Sequence, residues 1–295
     1  MRPTTAAALV DAGLDPEAVT ALVRAVLAED LGDAGDVTSL ATVPESAVLD
    51  VRYVTREPGV VAGLPVLAAM VEIALGDDAT VDLLVADGAR VDAGTALAAL
   101  RAPARGVLAL ERTSLNLLGH LSGVATATRA WVDAVTGTGA GVRDTRKTMP
   151  LLRALEKYAV RCGGGVNHRT GLYDAVLIKD NHVVAAGGVG PALDAAYAAH
   201  PRGTMVVQVE VDGLDQLDEA IAHSAEQILL DNFPVADLRT AVARVRERAP
   251  KTVLEASGGL TLDVAPEVAA TGVDLLAVGA LTHSARNLDI GLDAV

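Results

Sequence analysis

Aromatic residues are nearly missing from this 295-residue chain: one Trp, one Phe and four Tyr make up 2% of it. Since 51% of the residues are nevertheless apolar, the core must be assembled from Val, Leu, Ala and Ile. Such a composition suits β-branched strands layered against Ala-rich helices and excludes a disordered chain. Cysteine is equally scarce. Cys162 stands alone, which excludes an internal disulfide and fits a reducing compartment. No CxxC, HExxH or GxSxG occurs, so zinc and serine-hydrolase chemistry have no support. The longest uncharged runs, residues 59–71 and 113–128, fall short of a membrane span and carry Gly, Pro or polar residues. The first residues hold one Arg and no basic-then-apolar signal pattern, so a cytoplasmic protein is expected.

Positive charge is in deficit overall, with 24 Lys and Arg against 38 Asp and Glu and a net charge of −14. That balance argues against nucleic acid or an anionic membrane as partner. Between Arg143 and Asp180 the sign reverses. Eight basic residues (Arg143, Arg146, Lys147, Arg153, Lys157, Arg161, Arg169 and Lys179) face only four acidic ones there. An acidic protein with one basic segment is built to hold a small anion, although a basic surface helix gives the same count.

Residues 17–31 carry apolar positions at helical spacing. From Val48 to Arg101 short alternating runs are broken by Gly and Pro, the pattern of a small α/β sheet domain. A long helical pattern follows from Gly106 to Val135; its small residues Gly119, Ser122, Gly123, Ala125 and Ala127 offer close approach to another helix. Glu111 and Arg112 stand inside this otherwise apolar stretch, which implies that they are paired or functional. After residue 139 six apolar runs recur (GAGV, AVLI, MVVQV, QILL, TVLEA and VDLLAV), with starts about twenty to thirty-five residues apart. That is the size of a βαβ unit. Six units point to a parallel (β/α) barrel rather than an open sheet, with a further closing strand that the sequence does not locate. No GxGxxG opens the first unit, which disfavours a dinucleotide-binding sheet.

Polar residues or Gly follow every run. Arg143 to Lys147 follow GAGV, Lys179 to His182 follow AVLI, and Glu210 follows MVVQV. Asp231 and Asn232 follow QILL, Ser257, Gly258 and Gly259 follow TVLEA, and Gly279 follows VDLLAV. Active sites of (β/α) barrels lie at that face, so the pattern is that of an enzyme. Lys179, next after an apolar strand, is assigned to the site. Glu210 and Asp231 read either as helix N-caps or as two carboxylates that hold Mg²⁺ together with a substrate phosphate. EASGG reads either as a tight turn or as small residues entering a helix, a phosphate cradle of backbone N–H groups; GALTHS would be a second, weaker cradle. Of two isolated histidines, His168 beside Arg169 is the better anion contact and His182 the weaker one. Cys162 has no base near it in sequence and reads as structural.

Taken together, LAEDLGDAGDVTS, ERTSLNLLGHLSG, DTRKT, KYAVRCGGGVNHRTGLYD, LIKDNH, VEV, ILLDN, EASGG and VGALTHS resemble the quinolinate phosphoribosyltransferase family, in order from Leu27 to Asp293. The resemblance implies an incomplete (β/α) barrel domain with an N-terminal α/β sandwich domain. Residues 1–116 would form the N-terminal helices and sandwich, 117–280 the catalytic barrel, and 281–295 a C-terminal segment returning to the N-terminal domain. It implies a homodimer with shared active sites that joins quinolinate to phosphoribosyl pyrophosphate with Mg²⁺, giving nicotinate mononucleotide, pyrophosphate and CO₂ in NAD biosynthesis. By motif, Arg146, His168, Arg169 and Lys179 would hold the quinolinate carboxylates, with Arg112 arriving from the neighbouring subunit. Lys147 would lie between the two substrates, with Thr148 next to it also binding substrate. Glu210 and Asp231 would serve the Mg²⁺–pyrophosphate and the ribose, while Ser257, Gly258, Gly259 and Gly279 would cradle phosphate. Lys147, Lys179, Glu210 and Asp231 would be the catalytic set. One departure is that Met149 and Leu151 flank Pro150 where the family often reads TRKTTPG. A related phosphoribosyltransferase for another ring acid, or a barrel aldolase with Lys179 as Schiff base, is the alternative.

Overall fold

The computed structural model describes residues 1–295. Contacts within the chain cluster into two units, one of residues 1–129, 149–164 and 284–295, the other of residues 130–148 and 165–283. No helix is long and apolar enough to cross a membrane.

The first unit opens with three helices, α1 (Pro3–Asp11), α2 (Pro16–Leu31) and α3 (Val37–Thr42). Asp15 and Asp36 cap the latter two, Asp15 accepting from Glu17 N–H and Asp36 from the N–H groups of Thr38 and Ser39. Strands β1 (Val48–Thr55), β3 (Thr80–Leu83), β5 (Ala96–Pro103) and β12 (Ile290–Ala294) form an antiparallel sheet in the order β12-β1-β5-β3. The short strands β2 (Gly59–Val60) and β4 (Arg90–Val91) pair separately. Helix α4 (Leu64–Leu75) packs on α1 and α2. In β1, Val51, Tyr53 and Thr55 face inward at period two. The Tyr53 hydroxyl meets Ser114 Oγ on α5 (Ala104–Ala134) at 2.9 Å, and burial pushes the phenol up to about 12. On α5, Leu110, Leu118 and Leu121 are fully buried, each stabilising the fold by roughly 1.5–3 kcal/mol. The Gly119 and Gly123 face of that helix is covered by extended chain rather than by another helix. Leu288 N–H donates to Gly119 O at 3.0 Å, and a Cβ on Gly123 would stand 2.2 Å from Arg286 O. Nor are Glu111 and Arg112 interior charges: Glu111 is half-buried and Arg112 exposed, because the apolar stripe of the helix turns the other way. Helix α6 (Arg153–Cys162) completes this unit.

The second unit carries six parallel strands, β6 (Gly141–Arg143), β7 (Val176–Ile178), β8 (Val207–Val211), β9 (Gln227–Asp231), β10 (Val253–Ser257) and β11 (Leu275–Ala277). Their order is β6-β11-β10-β9-β8-β7, so each strand neighbours the next in sequence except β6 and β7. Those two are the free edges of an incomplete barrel. No seventh strand closes it; the edge of β6 gains only a single bridge, Arg143 to Val166. Helices α7 (Asp180–Ala186), α8 (Val189–Ala199), α9 (Leu214–Ala222), α10 (Val235–Arg248), α11 (Ala265–Ala269) and α12 (Ala280–His283) supply the crossovers and the segment after β11.

Candidate active site

Strand alternation builds the site. In register, Glu210 lies beside Leu229 and Leu229 beside Glu255, while Asp231 lies beside Ser257 one layer higher. Residues two apart point to the same face of a strand, so Leu177 and Lys179, Glu210, Leu229 and Asp231, and Ser257 all face one cavity of about 430 Å³ at the C-terminal ends of the strands. Thr145, Arg146 and Lys147 after β6, His168 and Arg169 before β7, and Ala277 at the end of β11 complete its lining. Its floor is apolar and its wall carries four fixed cations, Arg146, Lys147, Arg169 and Lys179, against two carboxylates.

Of these cations, Lys179 is ion-paired within the wall, with Glu210. Arg146 and Arg169 each bury an Nε–H without a partner, and burial together with the Arg146 charge pulls the Arg169 guanidinium below the usual arginine range. Two guanidiniums that repel one another and retain unused donors are a receptor for an anion with more than one negative group. Arg169 is anchored by Nη1, which donates to Ala175 O at 3.1 Å. Lys179 Nζ donates to Glu210 Oε2 at 2.9 Å. Lys147 is held by its backbone: its N–H donates to Thr145 Oγ1 at 3.0 Å and its carbonyl accepts from Thr282 Oγ1 at 2.7 Å. Its side-chain stem crosses Gly279, where a Cβ would come within 2.9 Å of Lys147 Cδ.

Neither Glu210 nor Asp231 is a helix cap. Both lie in the last two residues of their strands and line the cavity, and the N-cap positions of α9 and α10 are Gly213 and Pro234. Asp231 is oriented by Asn232, whose Nδ2 donates to Asp231 Oδ2 at 2.7 Å and whose backbone takes positive φ (56°). Gly258 makes that turn possible: at φ 88° a Cβ would collide with Asn232 Oδ1. Gly258 and Gly259 form a bend of their own and do not enter a helix, since α11 begins only at Ala265. Thr148, Gly258, Gly259 and Gly279 flank the cavity lining in sequence. Arg112 lies in the other unit, on the exposed side of α5. His182 Nδ1 accepts from Lys179 N–H at 3.1 Å and so caps α7. For Cys162, burial and then the Asp87 charge push the thiol up to about 11, in keeping with an inert side chain.

Several residues of this unit carry no signal beyond a polar letter inside an apolar run. Gln208 and Glu255 lie two residues before Glu210 and Ser257, fully buried on the same interior face. Gln208 Nε2 donates to Glu255 Oε2 at 2.6 Å, and Arg143 Nη1 donates to the same oxygen at 3.0 Å. His168 Nε2 lies 2.8 Å from Gln208 Oε1, and His168 Nδ1 accepts from Arg169 N–H at 2.7 Å. Buried Asp144 accepts from His168 N–H and Asn167 Nδ2. Strand alternation from Glu210 and Ser257 would have found Gln208 and Glu255.

Comparison with known proteins gives a consistent answer. Residues 36–122 match the N-terminal domain, and residues 124–293 the C-terminal domain, of quinolinate phosphoribosyl transferase. The chain is 56% identical over 272 residues to a nicotinate-nucleotide pyrophosphorylase (carboxylating) of Mycobacterium leprae, covering 92% of this chain and 95% of that one. It is 41% identical to a probable nicotinate-nucleotide pyrophosphorylase (carboxylating) of Bacillus subtilis, over 90% of this chain and 89% of that one. Among solved structures, the nicotinate-nucleotide pyrophosphorylase from Francisella tularensis superposes with a TM-score of 0.90 at 38% identity, over 96% of this chain and 98% of that one.

Proposed function

The chain belongs to the quinolinate phosphoribosyltransferase family, and we propose that it transfers the phosphoribosyl group of phosphoribosyl pyrophosphate to quinolinate with loss of CO₂. The products are nicotinate mononucleotide and pyrophosphate, a step of NAD biosynthesis carried out in the cytoplasm. The observation that carries this reading is the pair Arg146 and Arg169, two guanidiniums in one cavity with buried, unused Nε–H donors.

A ring with two carboxylates supplies the charge that this pair lacks. Arg146, Arg169 and Lys179 bind the carboxylates, with His168 lining the same side; Lys147 stands between the two substrates. The pyridine nitrogen is already a lone-pair nucleophile, so the protein's task is alignment with the ribose C1 rather than base catalysis. As the ring nitrogen bonds to C1, pyrophosphate departs with the electrons of the C1–O bond. Glu210 and Asp231 face the cation-like ribosyl centre, and the backbone around Ser257, Gly258, Gly259 and Gly279 receives phosphate. The nitrogen is now cationic. Loss of CO₂ leaves an electron pair on the adjacent ring carbon, which that nitrogen stabilises until a proton arrives.

Two hard carboxylate oxygens, with no sulfur or nitrogen ligand beside them, suit Mg²⁺, which takes one or two carboxylates and fills its remaining positions with water and substrate phosphate. Glu210 and Asp231 would hold it, and it would neutralise the departing pyrophosphate. The proposal includes a homodimer in which the partner subunit's Arg112 reaches the carboxylate side of the cavity. Lys179 is ion-paired with Glu210 rather than enclosed among apolar groups, a setting that activates an imine-forming lysine. The test is a comparison of ring acids. Quinolinate turns over, whereas nicotinate, with one carboxylate, leaves a guanidinium unmatched and falls by about three orders of magnitude or more in kcat/KM. Comparable values for the two acids would remove the assignment.

A further inference from the structure

We infer that Gln208 and Glu255 are positioning residues for the ring acid: they fix the His168 proton on Nε2, which leaves Nδ1 to hold the backbone of Arg169. The inference deepens the proposed function and rests on it.

Glu255 is fully buried on the barrel interior, and its Oε2 accepts from Arg143 Nη1 at 3.0 Å. A carboxylate so paired can only accept, so Gln208 must turn its amide NH₂ toward it, at 2.6 Å. The Gln208 carbonyl then faces His168 Nε2 at 2.8 Å and can only accept, which requires Nε2 to carry the proton. A neutral imidazole has one donor and one acceptor. The acceptor, Nδ1, takes the Arg169 N–H at 2.7 Å. One buried charge thus dictates the proton position of a cavity residue two hydrogen bonds away, and the relay ends at the backbone of a guanidinium that faces the ligand. Both ring nitrogens of His168 are therefore committed within the protein, and the histidine serves the ring acid by locking Arg169.

The arrangement is costly. Burial pushes the Glu255 carboxyl up despite Arg143, and its Oε1 is buried without a partner. An apolar interior at these positions would be the more stable choice. Buried partners of this kind orient the groups that meet the ligand and are felt as binding losses when removed.

The experiment uses the full-length protein labelled with ¹⁵N-histidine. Wild type should show His168, assigned by its absence in His168→Asn, in the Nε2–H tautomer. Gln208→Met keeps the volume and removes both hydrogen bonds. It should convert His168 to a tautomer mixture and weaken quinolinate binding in calorimetry and KM by about tenfold, with KM for phosphoribosyl pyrophosphate within about twofold of wild type. Glu255→Gln, should Gln208→Met fold poorly, acts in the same direction, because an amide no longer dictates which way Gln208 faces. An Nδ1–H tautomer in wild type, or equal losses for both substrates, would overturn the inference. Failure of wild type to turn over quinolinate would strike the proposed function instead and leave the tautomer result readable.

Discussion

Lys179 Nζ and Glu210 Oε2 stand 2.9 Å apart across the tops of neighbouring strands β7 and β8. The pair joins the basic half of the cavity to the carboxylate half, so removal of either partner separates the two halves functionally. Glu210→Gln keeps the shape and removes one negative charge. Turnover should fall by about a hundredfold or more, while quinolinate, as an anion, binds as well as before or more tightly. Asp231→Asn should likewise reduce turnover at every Mg²⁺ concentration far more than it weakens quinolinate. Calorimetric titration beside steady-state rates checks both, and equal damage to binding and turnover would assign these carboxylates to the ring acid.

Arg169→Lys preserves charge but not the planar fork. Because the site answers two carboxylates with guanidinium geometry, kcat/KM for quinolinate should drop by roughly 10–100-fold. Full activity in Arg169→Lys would reduce the role of Arg169 to that of a point charge.

Gly258→Ala places a Cβ against Asn232 at a backbone conformation with φ 88°. A stability loss of about 1–3 kcal/mol is expected, visible in denaturant unfolding, together with a higher KM for phosphoribosyl pyrophosphate. An unchanged KM with lowered stability would restrict Gly258 to a structural part.

Cys162 gives a pH prediction. With its thiol pushed up to about 11 by burial and the Asp87 charge, about one native molecule in a thousand is thiolate at pH 8, against roughly a quarter for an ordinary cysteine. Alkylation by iodoacetamide should be slow at pH 8 and accelerate toward pH 11. The native thiol keeps its proton longer than the unfolded one, so its contribution to stability is complete below the ordinary thiol range and is lost as pH rises through about 11. Fast labelling at pH 7 in the folded protein would contradict this.

What the sequence made legible follows from periodicity. Apolar runs separated by helices give the parallel strands, and the residue after each run gives the cavity wall, because side chains at strand ends have few other places to point. Less legible were residues whose letters fit two settings. Gln208 and Glu255 sit inside strands that read as apolar, and only strand alternation from Glu210 and Ser257 reveals their inward direction. Glu111 and Arg112 read as paired or functional charges within an apolar stretch, and which face of a small-residue helix is buried depends on what packs against it. The glycines of EASGG fit either a tight turn or a helix entry; their positive φ serves a bend against Asn232.

The shared-site proposal has its own test. Arg112→Ala and Lys179→Ala should each nearly abolish activity as homodimers. Subunit exchange at equal concentrations makes about half of the dimers mixed, each with one of two sites intact, so roughly a quarter of wild-type activity should return. Mixed dimers verified by mass that remain inactive would place Arg112 within its own chain or in a structural part.

The measurement that bears most directly on the whole account is product stoichiometry with purified protein, quinolinate labelled in the 2-carboxylate, phosphoribosyl pyrophosphate and Mg²⁺. The account predicts one labelled CO₂ and one pyrophosphate for each nicotinate mononucleotide formed, with all three lost in Arg146→Ala and Arg169→Ala. A phosphoribosylated product that retains the labelled carboxylate, or no transfer to quinolinate from a folded protein, would contradict it.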